Sequence, residues 1–238
     1  MWNGFEEKRF IFKEREAVII YPKEKPNGKI LLKTEYLDDF TMFDVSMLNR
    51  GYYLCHIYHQ TRWAPDEETE IMAEFVKFCA SKLDASQRCI VEGMSAGGFQ
   101  ATRLAQIHPE LVAVLYLDAP VLNLLSIAGL GEAKFDAMDK FWREIVATYG
   151  VSRSTIINFR KSPIDAMDIL IENNIPIIML YGNGDNVVVY EENGKVLENY
   201  YRKNGGMLKV IVRSMCGHHP HGLSDPTPII DFVEQVYR

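Results

Sequence analysis

The sequence has no C-x-x-C pair, no block of like charge, no linker rich in proline, glycine or serine, and no long apolar run. Each absence excludes a class. Cys55, Cys79, Cys89 and Cys216 lack the spacing of a zinc site or a disulfide framework, so they are expected as buried thiols in a reducing compartment. Apolar stretches such as Leu111–Leu117 fall far short of the ~20 residues that a membrane-crossing helix needs. With 26 Lys+Arg against 32 Asp+Glu, a formal charge of −6, there is no basic footprint for nucleic acid or an anionic membrane. The N-terminus carries acidic residues and no apolar segment behind a basic start, so no secretory signal is read in the chain as it stands, and a cytoplasmic location is expected.

What is present is ordinary globular composition: 238 residues, 47% hydrophobic and 24% charged. A chain of this length buries enough surface to hold a core without metal or disulfide, and no repeat divides it, so residues 1–238 are read as one domain. The first fifth is strand-like. Arg9–Lys13 and Glu16–Tyr21 form a hairpin pattern, and Lys29–Tyr36 follows a Pro-Asn-Gly turn. Then the period alternates: helix Met42–Asn49, strand Tyr52–Tyr58, helix Glu67–Leu83, strand Arg88–Glu92, helix Ala96–Ile107 and strand Leu111–Leu117. After a break come strand Ile175–Tyr181, helix Glu191–Lys203, strand Leu208–Val212 and helix Ile229–Tyr237. This alternation predicts an α/β fold with a mostly parallel sheet flanked by helices. The break, about 121–174, holds an apolar glycine-containing stretch and a helix-like segment Pro163–Glu172, read either as a cap insertion or as ordinary helix packing.

Gly93-Met94-Ser95-Ala96-Gly97 follows an apolar strand and opens a helical pattern, the context a G-x-S-x-G nucleophile elbow requires. A phosphate-binding turn is the competing reading, but no basic residue follows the glycines. A serine hydroxyl is a weak nucleophile until a base takes its proton, so a histidine and an orienting acid must follow. Asp185 comes after the strand IPIIMLYG, and His218, His219 and His221 come after LKVIVRS. Each lies just past the C-terminal end of a strand, where open α/β sheets place their sites. His218, directly after Gly217, ranks first as base, with His219 and His221 as alternatives; Asp118, at the end of LYLD, competes as the acid or braces the wall. Three clustered imidazoles also raise a metal site, but zinc wants further ligands and no other Cys or His has ligand spacing, so neither metal nor cofactor is assigned. The oxyanion donors are read as the Ala96 N–H and an N–H from Tyr36 or Leu37, with His59 or Trp63 as pocket-lining residues.

With GMSAGG, LYLDAP, YGNGDNVVVYEENG and GHHPHGLSDPTPI in place, the chain resembles the α/β-hydrolase superfamily over nearly its whole length. It is most similar to the dienelactone-hydrolase and prolyl-oligopeptidase-like branch, and to a bacterial subgroup of small esterases. The resemblance implies an eight-stranded, mostly parallel sheet, a Ser–His–Asp triad carried onto Ser95, His218 and Asp185, and cofactor-independent ester hydrolysis. The strand end KTEYL departs from the His-Gly of many relatives, which leaves the second oxyanion donor open. The expected activity is that of a serine hydrolase on a short-acyl ester, with glycan O-acetyl groups as one substrate class because Trp63 and Trp142 offer stacking faces. Two alternatives stand beside it: a prolyl-oligopeptidase-like peptidase, and a non-catalytic hydrolase-fold protein that binds a ligand.

Overall fold

The computed structural model covers Met1 to Arg238 and has one eight-stranded sheet. The strands are β1 Glu7–Phe12, β2 Arg15–Ile20, β3 Ile30–Lys33, β4 Tyr53–Ile57, β5 Cys89–Met94, β6 Val112–Asp118, β7 Ile177–Gly182 and β8 Leu208–Arg213. Their order is β1-β2-β4-β3-β5-β6-β7-β8; β1, β2 and β4 pair antiparallel, and every other pairing is parallel. The helices are α1 Met42–Leu48, α2 Asp66–Leu83, α3 Ala96–Ile107, α4 Met138–Tyr149, α5 Met167–Glu172, α6 Gly194–Asn204 and α7 Thr227–Val236. This is the α/β-hydrolase fold. No helix is long and apolar enough to cross a membrane.

The central strands are apolar on both faces because both are covered. Leu32, Val91, Leu115 and Met179 pack on one side with Met72, Phe75, Val76 and Cys79 of α2 and Leu104 of α3. Leu31, Ile90, Val114 and Ile178 pack on the other with Phe43 and Met47 of α1 and Ile229 and Val233 of α7. The α2 spacing puts its apolar residues on one stripe, and Asp66, Glu67 and Glu68 in the first turn complement the helix dipole. Helix α6 begins at Gly194 instead of Glu191: Tyr190–Glu192 forms a separate 3₁₀ turn, and the Asn193 side chain accepts N–H bonds from Leu122 and Asn123.

The 121–174 stretch serves two packing regions. Val121, Leu124, Ile127, Ile145 and Ile156 build a small separate core over Trp63 and Phe99. Met167 and Leu170 of α5 join the main core.

One ion pair is fully enclosed. Lys33, at the end of β3, donates to Asp44 of α1 at 2.6 Å and to the Asp39 carbonyl at 2.8 Å, with a Glu92 carboxylate oxygen 3.8 Å away. Burial, then the Asp44 charge, pushes the Glu92 carboxyl well above its usual range, and the close pair is Lys33 with Asp44. Removing one partner strands the other in the interior. Lys33→Met is therefore expected to lower unfolding free energy by about 3–5 kcal/mol in urea melts, and adding Asp44→Leu to recover much of that loss.

Candidate active site

Between the last residue of β5 and the first of α3, Ser95 alone turns the chain, with φ 51° and ψ −120°. That backbone is strained for a residue bearing a Cβ, so neighbouring contacts must hold it. Its N–H donates to the Asp118 carbonyl at 2.9 Å, and its carbonyl accepts from Gly98 and Val121, each at 2.9 Å. The approach leaves no room for side chains: a Cβ on Gly93 would lie 2.5 Å from the Gly97 carbonyl oxygen, and one on Gly98 would overlap Pro120.

Ser95 Oγ donates to His218 Nε2 at 2.9 Å, and His218 Nδ1 donates to Asp185 Oδ2 at 2.7 Å. The other Asp185 oxygen accepts the N–H groups of Val187 and Val188 at 2.9 and 3.0 Å. Burial pushes the Asp185 carboxyl up, but the His218 imidazole and the two backbone donors outweigh it, so its pKa lies below the usual carboxylate range. The loops that carry acid and imidazole are tied together: Gly184 N–H donates to the Cys216 carbonyl at 2.8 Å and Met215 N–H to Asn183 Oδ1 at 2.7 Å. Asn186, the other asparagine beside the acid, accepts the Lys134 N–H through its carbonyl.

Of the three sequence candidates for the base, only His218 reaches Ser95. His219 is exposed and stacks on Phe40, while His221 is buried and donates from Nδ1 to Asp118 Oδ1 at 3.2 Å. Asp118 does not touch His218. It accepts from Arg213 at 2.7 Å and from the Gly222 N–H at 2.5 Å, and so braces the histidine loop.

The first residue of α3, Ala96, has no intrahelical acceptor for its N–H, which lies beside Ser95 as an oxyanion donor should. A side chain joins the Tyr36 and Leu37 amides as a candidate for the second donor. The Leu37 side chain is in the core under the sheet edge. At Tyr36 the phenol, which a reading of backbone amides misses, has Ser95 as a neighbour that works against the rise burial gives its pKa. Arg62 Nη1 donates to that phenolic oxygen at 3.2 Å, leaving the phenol proton free to be given away.

Tyr36 also borders a cavity of about 590 Å³ lined by Glu35, Asp38, Asp39, His56, His59, Arg62 and, from α4, Glu144. His56 donates from Nδ1 to the Lys33 carbonyl and His59 from Nδ1 to Glu68, and each Nε2 is buried without a partner. Burial holds the His56 pKa down at about 4, so its Nε2 is a bare acceptor at neutral pH. Little tryptophan surface is open for sugar stacking. Trp63 is fully buried against Phe99 and Phe141, and Arg153 covers the Trp142 face at 3.9 Å.

Among known proteins, the family model described as the prolyl oligopeptidase family matches residues 58–238. No curated protein matches the sequence. Similar solved structures include a Mycobacterium tuberculosis puromycin-hydrolyzing peptidase, with TM-score 0.74 and 14% identity over 98% of this chain and 39% of that one. An acylaminoacyl peptidase from Pyrococcus horikoshii has TM-score 0.72 and 15% identity over 98% of this chain and 42% of that one. Porphyromonas gingivalis dipeptidyl peptidase 4 has TM-score 0.71 and 12% identity over 99% and 36%. The chain thus spans only about two-fifths of the length of these structures.

The wall of the cavity rests on an ion-pair network. Arg15 donates to Glu68 at 2.5 Å while His59 occupies the other carboxylate oxygen, and these two bonds, working against burial, bring Glu68 down to a pKa of about 2. A depressed carboxyl pKa gives stability that is present above the unfolded value and lost as pH falls through the folded one. The wild type should therefore lose about 2–3 kcal/mol relative to Glu68→Gln between about pH 5.5 and 2, by urea melts across pH. A pH-independent difference between the two would contradict this.

Proposed function

The chain belongs to the prolyl oligopeptidase family, and from that premise we propose that it is a serine hydrolase of the peptidase type, acting on small substrates with a free amino group. The hydrogen-bonded chain Ser95–His218–Asp185 carries this reading. His218 Nε2 takes the Ser95 proton as Oγ attacks the substrate carbonyl. Asp185 keeps the imidazole in the tautomer with Nδ1–H and stabilises its charged form. The Ala96 N–H and the Tyr36 phenol receive the oxyanion, His218 passes its proton to the leaving amine, and water then cleaves the acyl-enzyme by the same steps. An ester would follow the same route with an alcohol leaving.

Residues 1–238 would form the hydrolase domain, with the N-terminal part of the 121–174 stretch as its cap, since α4 supplies Glu144, Ala147 and Thr148 to the cavity wall. Substrate preference follows from that lining. Four carboxylates face one guanidinium, and the unpartnered His56 Nε2 is an acceptor, so the cavity suits a group that brings N–H donors and positive charge. A protonated α-amine meets both demands. Peptidase neighbours of the same fold support a peptide or aminoacyl substrate over a glycan ester.

Ser95→Ala should cut turnover of an aminoacyl anilide by at least ~10⁴-fold without changing the melting curve; unchanged turnover would rule out the assignment. Tyr36→Phe should lower kcat by roughly 10²–10³-fold with KM little changed, whereas a loss confined to KM would remove the phenol from the oxyanion site. N-acetylating the substrate amine should reduce kcat/KM by roughly 10–100-fold, and an equal or better rate would overturn the amine preference.

A further inference from the structure

His218, His219 and His221 converge. Their ring centroids are 4.8, 4.8 and 4.9 Å apart, with interplanar angles of 72°, 83° and 84°, so no two rings stack and each presents an edge to the others. One nitrogen from each lies within 4.8 Å of the others. Catalysis uses only the first of these rings.

From this geometry we infer a transition-metal site at His218, His219 and His221, taking a Zn²⁺-like ion that switches the hydrolase off. Two of the rings are already hydrogen-bonded as metal-bound imidazoles are: His218 and His221 each give the Nδ1 proton to a carboxylate, Asp185 and Asp118 respectively, which leaves Nε2 as the lone-pair nitrogen. The His221 Nε2 has no partner at all, although the residue is 94% buried, being 6% exposed. Such an unpaired buried nitrogen costs free energy unless a ligand completes it. The third ring, His219, is exposed and stacked on Phe40, a contact its side-chain torsions must release for it to bind. Three nitrogens on a tetrahedral zinc lie roughly 3.3 Å apart, so side-chain rotation closes the remaining gap.

Imidazole nitrogen selects Zn²⁺ and its neighbours over the oxygen-seeking Mg²⁺ or Ca²⁺. On binding, the Ser95 O–H to His218 Nε2 hydrogen bond breaks and three coordinate bonds form from neutral imidazoles; no proton or electron is transferred. The lone pair that would accept the Ser95 proton is then held by the metal. The inhibitory consequence rests on the proposed role of His218, while binding itself stands on the geometry.

The test separates the two. Calorimetric titration of Zn²⁺ into Ser95→Ala, which keeps all three imidazoles and has no turnover, should give one ion per chain. Adding His219→Ala to that background should weaken affinity at least ~100-fold. Absence of a one-to-one transition in Ser95→Ala, or equal affinity in the double variant, overturns the site. With catalytically competent protein, His219→Ala should keep kcat/KM within about twofold while raising the Zn²⁺ concentration for half-inhibition at least ~100-fold, and Mg²⁺ should not inhibit either protein. Equal sensitivity of wild type and His219→Ala overturns the switch. So does loss of inhibition in Cys216→Ser, which would assign the effect to the neighbouring thiol. If the wild type has no hydrolase activity, the proposed function fails, and the calorimetry still decides the metal site.

Discussion

Crowding between the N-terminus of α3 and the ends of β5 and β6 is the constraint on which the rest of the site depends. Ser95 can hold its strained backbone only because Asp118 and Val121 on one side and Gly98 on the other bond its peptide groups. That approach is possible only where Gly93 and Gly98 carry no side chain. The helix behind them is built to match, with Ala101 and Ala105 against the sheet and a threonine, Thr34 of the β3 loop, bridging the Glu92 and Gly97 carbonyls. The strain is therefore distributed over a well-packed region, and the nucleophile arrives at one position above the sheet.

Polar groups around it are organised by reach. The β7 and β8 loops are sewn to each other by backbone bonds, so Asp185 and His218 move as one piece. Asp118 lies close by, but Arg213, His221 and the Gly222 amide occupy its oxygens. Two carboxylates at adjacent strand ends thus take different tasks, one orienting the base and the other holding the loop on which the base sits.

The order of strands and helices was legible because burial on both sheet faces forces apolar runs, and because α2 and α7 carry helical stripes. The elbow was legible for a steric reason, since a short glycine-flanked serine between strand and helix has few other uses. Helix α6 starts later than its periodicity suggests because Asn193 is recruited by the distant Leu122 and Asn123 amides. At Tyr36 a local reading offers only the backbone N–H. Whether its phenol reaches Ser95 depends on the left-handed turn at that residue and on Arg62, 26 positions away. Trp63 misled for a similar reason: its ring is enclosed by Phe99 from α3 and Phe141 from α4, elements whose proximity the sequence does not announce. The cavity beside Tyr36 is assembled from the ends of β3 and β4 and from α4, so no contiguous motif encodes it.

The most direct test of the central claim is to treat the intact chain with a fluorophosphonate and locate the adduct by mass spectrometry of its peptides. A single phosphonyl group on the Ser95 oxygen, formed much more slowly in Asp185→Asn, is the result predicted by a serine activated through His218. An unlabelled chain, or label on another residue at the same rate in Ser95→Ala, would contradict it.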